Sequence, residues 1–271
     1  AGNTTPASAR IQIDTRPPSA TAQITGTLGA NGWYLSPVGL DVAAVDAGSG
    51  ICSRSLNLDE TGWQPAPLPD YAGQGEHAFT GQAWDCLGQA SPVTPVMPFK
   101  LDTVPPTLES SAPAPDGANH WYISPFTVTV SGTDQTSGLA AAQVRPAGGS
   151  WQDGALLVEQ EGELALEFRS QDQAGNTTTR QQSFAVDLSD PTASLILSAT
   201  AGLDPWYVSP VSVQVAAGDR ISGVQEIALR LDGGDWSIAR GLRVATDGSH
   251  LLESRITDNA GRQTHLRQSL A

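Results

Sequence analysis

The chain has 271 residues, with 14 lysines and arginines against 28 aspartates and glutamates, which gives a formal net charge of −14. An acidic surface repels phosphate backbones and anionic lipid, so the charge argues against nucleic-acid binding and membrane docking. Apolar residues never run long enough to span a bilayer, which argues against membrane insertion. No charged-then-apolar segment opens the chain, so we expect any export signal to lie outside it.

The first thirteen residues match the end of a unit that occurs later in the chain. The letters AGNTT open the sequence and recur at 174–178, and Ile11 and Ile13 take the places of the last two apolar residues of that later unit. Residues 1–13 are therefore predicted to be the closing strand of a preceding repeat. The strand could belong to a longer array cut at this point, or it could pair with a neighbouring molecule by strand addition.

Three repeats are predicted after this strand, at 14–101, 102–186 and 187–271, each introduced by an Asp and a Pro. The segment Trp-Tyr-x-Ser-Pro occurs once in each, at steps of 88 and 85 residues. Four landmarks recur in each repeat at matched spacing: an early Trp (Trp33, Trp121, Trp206), a turn Asp (Asp46, Asp134, Asp219), a second Trp (Trp63, Trp151, Trp236) and a late Asp (Asp85, Asp172, Asp258). Recurrence of this kind within one chain identifies a tandem array.

The apolar residues of each repeat alternate with polar ones, a period of two that indicates antiparallel strands with one buried face. The predicted core residues are Val38, Leu40, Val42, Phe126, Val128, Val130, Val211, Val213, Val215, Ala193, Leu195, Leu197, Ile227, Leu229, Leu231, Leu164, Leu166, Phe168, Phe184 and Val186. Several short strands per repeat predict a sandwich of about seven strands. The Asp-Thr-x-Pro-Pro joints are stiff, which predicts sandwiches arranged in a rod.

Taken together, these motifs resemble the bacterial Ig-like tandem repeats of large exported surface proteins. The shared motifs are Asp-Thr-x-Pro-Pro, Gly-Trp-Tyr-x-Ser-Pro, Asp-x-x-Ser-Gly, Gly-Gly-Asp-Trp (233–236) and Asp-x-Ala-Gly-Asn, and they cover nearly the whole chain. The resemblance implies an all-β fold of three tandem Ig-like sandwiches, an extracellular or cell-surface location, and a spacing or mechanical role. It transfers no ligand.

Cys52 and Cys86 both lie near predicted strand ends of the first repeat. An exported protein would allow a disulfide between them, and two buried free thiols are the alternative. The six repeated tryptophans are interpreted as core or edge anchors rather than sugar platforms, because one indole buries ~150–250 Å². Trp84 lies outside the repeated pattern and is interpreted in the same way.

No cofactor is predicted, and the aspartates are interpreted mainly as turn residues. Calcium is the minority hypothesis, motivated by the repeated Asp14, Asp102 and Asp187 at the joints. The four histidines are scattered, and no nucleophile elbow or phosphate loop occurs, so no catalytic site is predicted. We therefore expect a non-catalytic spacer, stalk or surface filament whose partners are further repeats or neighbouring copies. An adhesin or carbohydrate-binding array, with a glycan or surface ligand, is the alternative.

Overall fold

The computed structural model describes residues 8–204 and 206–270, and the protein is all-β, with 55% of residues in strands and 1% in helix. This confirms the predicted fold class of Ig-like β-sandwiches, which a helix content above roughly a tenth would have contradicted. Within the described ranges, no helix has the length and the apolar character that crossing a bilayer requires.

Each sandwich consists of two sheets. The first contains eight strands: β1 (Ser19–Thr25), β2 (Trp33–Tyr34), β3 (Val38–Val45), β4 (Ile51–Leu58), β5 (Trp63–Pro65), β6 (Leu68–Tyr71), β7 (Gly75–Asp85) and β8 (Met97–Leu101). One sheet has the order β1-β3-β6 and the other has the order β2-β8-β7-β4-β5. A 3-10 turn at Ala30–Gly32 leads into β2.

The second sandwich has the same plan. Its strands are β9 (Glu109–Ser111), β10 (Trp121–Tyr122), β11 (Phe126–Ser131), β12 (Leu139–Pro146), β13 (Gln152–Asp153), β14 (Ala155–Val158), β15 (Gly162–Asp172) and β16 (Thr177–Val186). The sheet orders are β14-β11-β9 and β10-β16-β15-β12-β13.

The third sandwich contains seven strands: β17 (Thr192–Ser198), β18 (Val211–Gly218), β19 (Val224–Leu231), β20 (Ser237–Ile238), β21 (Gly241–Val244), β22 (His250–Asp258) and β23 (Gln263–Leu270). Its sheets have the orders β17-β18-β21 and β20-β19-β22-β23. The segment that would correspond to β2 and β10 makes only an isolated bridge between Ala201 and Tyr207.

Two strand pairs depart from the predicted antiparallel arrangement. The two-residue strands β2 and β10 run parallel to the closing strands β8 and β16. Parallel neighbours need a long connection, and most of a repeat separates the members of each pair, so the chain can meet this requirement. The Trp-Tyr segment therefore caps the edge of the larger sheet.

The predicted alternation describes the cores correctly. In β11 the burial pattern alternates strictly, with Phe126, Val128 and Val130 buried and the residues between them exposed. The three cores draw on both sheets of their sandwiches, and they are centred on three sets of buried residues: Val38, Leu40, Val42, Leu56, Phe79 and Leu101; Val128, Val144, Leu166, Phe168 and Val186; and Val213, Leu229, Leu252 and Ile256.

Contacts along the backbone divide the chain into two compact units. One comprises 1–107, 132–141 and 170–178 and contains the core of the first sandwich. The other comprises 108–131, 142–169 and 179–271 and contains the cores of the second and third. The repeat boundaries at 14, 102 and 187 stay predictions.

The predicted closing strand at 1–13 is only partly within the described residues. Residues 1–7, which include the first AGNTT, lie outside them. Residues 8–13 are not assigned to a strand, and the side chains of Ile11 and Ile13 are 79% and 82% exposed. Pairing of this segment, within the chain or with another molecule, stays a prediction.

Candidate metal centres

The turn aspartates close the loops after β3, β11 and β18 by accepting backbone hydrogen bonds. Asp46 Oδ2 accepts from the backbone N–H groups of Gly48 (3.0 Å) and Gly50 (2.8 Å). Gly50 has a φ of 81°, a left-handed conformation that glycine adopts without strain. Asp134 and Asp219 make the same bond to the glycine four positions on. The local Asp-x-x-Ser-Gly sequence therefore fixes where each carboxylate lies.

The late aspartates are the last residues of β7, β15 and β22 and hold the following turn in the same manner. Asp85 Oδ1 accepts from the backbone N–H of Gln89 at 2.7 Å, and Asp172 Oδ1 accepts from that of Asn176 at 2.8 Å. Asp258 Oδ1 accepts from the backbone N–H of Arg262 at 2.8 Å. Because each strand runs to this turn, the three carboxylates occupy equivalent positions in their sandwiches.

The joint aspartates connect the entry of each repeat to its turn. Asp102 directly follows β8, and its Oδ2 accepts from the backbone N–H of Ser137 at 3.1 Å. Asp14 Oδ2 and Asp187 Oδ2 accept from Ser49 and Ser222, which stand at the same place in the other repeats. A carboxylate at the joint therefore lies beside the turn aspartate in all three.

Three clusters of three aspartates result from this arrangement. In each, one carboxylate oxygen per residue lies within 4.8 Å of those of the other two, and the clusters are Asp14, Asp46 and Asp85; Asp102, Asp134 and Asp172; and Asp187, Asp219 and Asp258. The sequence predicted each residue as a landmark but did not predict that joint, turn and late aspartates converge. Three oxygen donors without His or Cys suit a hard cation such as Ca²⁺ or Mg²⁺ rather than Zn²⁺.

The third cluster is electrostatically the most strained. Burial of Asp258, together with the nearby charges of Asp187 and Asp219, raises the pKa of its carboxyl group above the ordinary value. The backbone hydrogen bonds to its Oδ1 act in the opposite direction but do not offset burial. Asp258 therefore carries its charge at a cost that a positive ion would relieve.

The joints between repeats are adjacent to these clusters. The backbone N–H of Ala30 donates to the carbonyl of Ala174 at 2.7 Å, and the Asn31 amide donates to the carbonyl of Gln173 at 2.8 Å. A Cβ on Gly29 would lie 2.5 Å from the Ala174 oxygen, so only glycine permits this approach.

The joint that follows repeats the pattern one repeat further on. Ala118 N–H donates to the Ala260 carbonyl at 2.7 Å, and the Asn119 amide donates to the Asn259 carbonyl at 2.9 Å. Gly117 stands where Gly29 stands, and its Cβ would lie 2.7 Å from the Ala260 oxygen. In both joints the loop before the Trp-Tyr segment therefore docks on the late Asp turn of the next repeat.

The repeated tryptophans lie at sheet edges rather than in the cores, with the exception of Trp33, which is 7% exposed. Trp121, Trp151 and Trp236 are half-buried, whereas Trp63 and Trp206 are 47% and 52% exposed. The physical reason is that the neighbouring tyrosine of the Trp-Tyr segment packs on the core in each sandwich. Of the two anchor roles considered from sequence, the edge role describes them better.

The second tryptophan is held by arginines in two of the sandwiches. The guanidinium groups of Arg145 and Arg169 lie 4.2 and 4.5 Å from the ring centre of Trp151. Those of Arg230 and Arg255 lie 4.6 and 5.1 Å from that of Trp236. Stacking of this kind contributes ~0.5–1 kcal/mol at an exposed site.

In the first sandwich, tryptophan replaces the arginines as the neighbour of the second Trp. The equivalent positions are Asn57 and Gln82, and the ring of Trp84 lies edge-on to that of Trp63 with 6.4 Å between centres. Trp84, which lay outside the repeated pattern, therefore has a packing role.

The predicted disulfide between Cys52 and Cys86 is present, with the two Cα atoms 4.9 Å apart. Cys52 lies at an irregularity of β4, between the paired residues Ile51 and Ser53, which brings it opposite the residue that follows β7. The alternative of two buried free thiols was wrong.

A histidine–aspartate pair went unnoticed in the sequence. His250 Nδ1 hydrogen-bonds Asp232 Oδ2 at 2.7 Å, and Nε2 lies 3.0 Å from the carbonyl oxygen of Thr246. His77 and Asp59 form the same pair in the first sandwich, also at 2.7 Å. The shared separation of 18 residues was the signal that could have revealed it.

We expect this pair to make the stability of the third sandwich depend on pH. The hydrogen bonds to Asp232 and Thr246 raise the pKa of His250 above 6.5, and the bond from His250 lowers the pKa of Asp232. A raised histidine pKa stabilises the fold fully below about pH 6.5, and this contribution is lost as the pH rises through the folded-state pKa. The lowered pKa of Asp232 adds stability that is lost only as the pH falls through that lower pKa.

The measurement is the melting temperature of the third sandwich at pH 6 and pH 8 for the wild type and the His250→Gln variant. The wild type should melt at a higher temperature at pH 6 relative to pH 8 than the variant does. An identical pH dependence in both proteins would show that the pair is not titrating in this range.

No family model matches the chain, and no curated protein matches it. It is similar in structure to the EC1-4 segment of Drosophila N-cadherin, with 12% identity over 95% of this chain and 76% of that chain and a TM-score of 0.37. It is also similar to a Ca²⁺-stabilized, ice-binding adhesin of an Antarctic bacterium (15% identity, 93% and 73% covered, TM-score 0.34) and to a tetra-tandem repeat in the extending region of a large adhesion protein (14%, 93% and 74%, 0.32). TM-scores this low carry no argument about function, and membership of the bacterial Ig-like family stays a prediction.

Proposed function

We propose that the chain is a non-catalytic, extracellular structural segment, a spacer, stalk or surface filament, in which tandem repeats are held in line by their joints. The observation that carries this proposal is the recurrence of one joint contact. The loop at Gly29 to Asn31 docks on the turn at Gln173 and Ala174, and the loop at Gly117 to Asn119 docks on its counterpart in the next repeat.

Each joint is stabilised modestly but in several ways. A backbone hydrogen bond and an asparagine hydrogen bond contribute about 0.5–1.5 kcal/mol each. The Pro-Pro segments add backbone stiffness, because proline fixes φ. A joint of this strength resists bending without fusing the repeats into one core, as a spacer requires.

Location outside the cytoplasm is supported by the disulfide. Cys52 and Cys86 are both exposed, and an exposed disulfide persists in an oxidising compartment but is reduced in the cytosol. The acidic surface, with a net charge of −14, favours solubility of an extended array. The natural partners are further repeats of the same polypeptide or neighbouring copies.

An adhesive or carbohydrate-binding array is the second candidate, and the exposed Trp63 is the observation that favours it. Sugars stack on flat aromatic faces, but Trp63 and Trp84 are nearly perpendicular, at 83°, and so offer no common platform. Binding on a glycan array that is lost in the Trp63→Ala variant would favour this candidate.

Joint stiffness can be tested with glycine variants. In the Gly29→Ala/Gly117→Ala protein, each added Cβ meets a carbonyl oxygen of the next repeat, so both joints should open while the cores stay folded. Small-angle scattering should then show a broader and shorter distribution of interatomic distances than that of the wild type.

The matched control is Gly218→Ala, because its Cβ would have no neighbour nearer than 3.8 Å and the position needs no positive φ. This variant should scatter like the wild type. A joint variant that scatters like the control would mean that these contacts do not set the geometry, and the proposed spacer role would lose its basis.

A further inference from the structure

The third aspartate cluster differs from the other two in one residue, which stands four positions after the late aspartate. That residue is Gln89 in the first repeat and Asn176 in the second, and in each case its side-chain amide donates to the second oxygen of the late aspartate at 2.8 Å. In the third repeat the position is Arg262. The guanidinium of Arg262 turns away to Asp190 Oδ1 (2.8 Å) and to the Ile123 carbonyl (2.9 Å).

As a result, one carboxylate oxygen of the third cluster is left without a donor. Asp258 is fully buried, at 0% exposure, and its Oδ2 accepts no hydrogen bond from any residue that the structure describes. A buried, unpaired carboxylate oxygen is costly, because folding removes its water without replacing the hydrogen bonds. The other two clusters avoid this cost with an amide.

Two further carboxylates lie beside that oxygen. Asp187 and Asp219 each place a carboxylate oxygen within the same 4.8 Å span as that of Asp258. Asp187 is itself fully buried. Three negative groups this close repel one another, and a divalent cation is the partner that would turn the repulsion into attraction.

We propose that Asp187, Asp219 and Asp258 bind one hard divalent cation of the Ca²⁺ type, and that the clusters of the first and second repeats bind it far more weakly. All three donors are oxygens, which Ca²⁺ accepts in flexible geometry with six to eight ligands, and water can complete the set. In the other clusters the amide nitrogens of Gln89 and Asn176 occupy the oxygen that the ion would need. The chain therefore has one strong site rather than three.

The ion would connect the two sides of a joint. Asp187 directly follows β16, the closing strand of the second sandwich, whereas Asp219 and Asp258 belong to the third. Binding would therefore tie the entry of the third repeat to its own turns. Stiffening of the array by this ion rests on the proposed spacer role, but binding itself does not.

The test is calorimetric titration of CaCl₂ into the chelator-treated full chain at pH 7, with MgCl₂ as a second probe. We expect a stoichiometry near one and a dissociation constant on the order of 10⁻⁴ M, as in extracellular modules. At about 10 mM Ca²⁺ the melting temperature of the third sandwich should rise by roughly 10 °C. This readout does not depend on any spacer activity, so its failure is distinct from failure of the proposed function.

Two variants locate the site and one serves as the control. Asp258→Asn removes the charge, and Arg262→Asn supplies the amide that the second repeat has, so each should abolish binding. The Arg262→Asn protein keeps all three aspartates and should remain folded, which protects the test against simple misfolding. Asp172→Asn, in the second cluster, should leave the titration unchanged.

Absence of binding heat and of any melting shift with Ca²⁺ would overturn the proposal. A stoichiometry near three would overturn it as well, because it would mean that the amides of Gln89 and Asn176 do not matter. Retention of full binding by Asp258→Asn, or its loss in Asp172→Asn, would place the ion elsewhere.

Discussion

The Val128→Asp variant should unfold the second sandwich while leaving the cores of the first and third intact. Val128 is fully buried in β11, opposite Leu156 in β14, and belongs to the central apolar cluster of that sandwich. An aspartate there loses the burial of valine and places an unpaired charge among apolar side chains, which costs several kcal/mol. Because the whole stability of a domain is ~5–15 kcal/mol, the loss is expected to be close to complete.

Thr127→Asp is the matched control for this variant. Thr127 is the preceding residue of the same strand, it is exposed, and its partner across the sheet is the exposed Leu157. The same charge should therefore cost less than about 0.5 kcal/mol there. Calorimetry should show one transition lost in Val128→Asp and none lost in Thr127→Asp. Equal effects of the two substitutions would mean that the inside and outside faces of β11 are assigned wrongly.

Removal of the disulfide should destabilise the first sandwich by ~3–4 kcal/mol on the chain-entropy model. Cys52 and Cys86 are 34 residues apart in sequence, so the bond removes much of the freedom of a long loop in the unfolded chain. Both cysteines are exposed, so a reducing agent should reach the bond without unfolding the protein.

The measurement compares unfolding of the wild type and of the Cys52→Ser/Cys86→Ser variant, each with and without dithiothreitol. Reduction should lower the first transition of the wild type to that of the variant and leave the other transitions unchanged. The variant itself should not respond to dithiothreitol. A first sandwich that melts at the same temperature in all four samples would show that the loop is held by other contacts.

The sequence predicted the fold well because its signals are local. Alternation in β11 and the Asp-x-x-Ser-Gly turn each depend on a few neighbouring residues, and both occur as expected. The disulfide was also predictable, because both cysteines lie at strand ends that the repeat aligns.

The aspartate clusters could not be predicted in the same way. Asp187, Asp219 and Asp258 are more than 30 positions apart from one another, and their convergence depends on where β16, β18 and β22 end within the sandwich. The unpaired oxygen of Asp258 depends further on the direction of the Arg262 side chain, which pattern and period do not specify.

The joints were beyond sequence reasoning for a related reason. Asn31 donates to a residue 142 positions away, and the glycine that permits the approach looks like any other loop glycine. The exposure of Trp63 and Trp206 was also unexpected, because a tryptophan at a sheet edge and one in a core have the same sequence pattern. By contrast, the His250–Asp232 pair was visible as a repeated spacing of 18 residues.

Small-angle scattering of the wild-type chain tests the central claim most directly, namely that the repeats form an extended spacer. The longest strands have 11 residues, or roughly 36 Å, so three sandwiches in line would extend over about 110 Å with a radius of gyration on the order of 30 Å. A single compact body of 271 residues would have a radius of gyration of about 18–19 Å. A value near 30 Å with a long-tailed distance distribution is the predicted result, and a value near 19 Å would contradict the account.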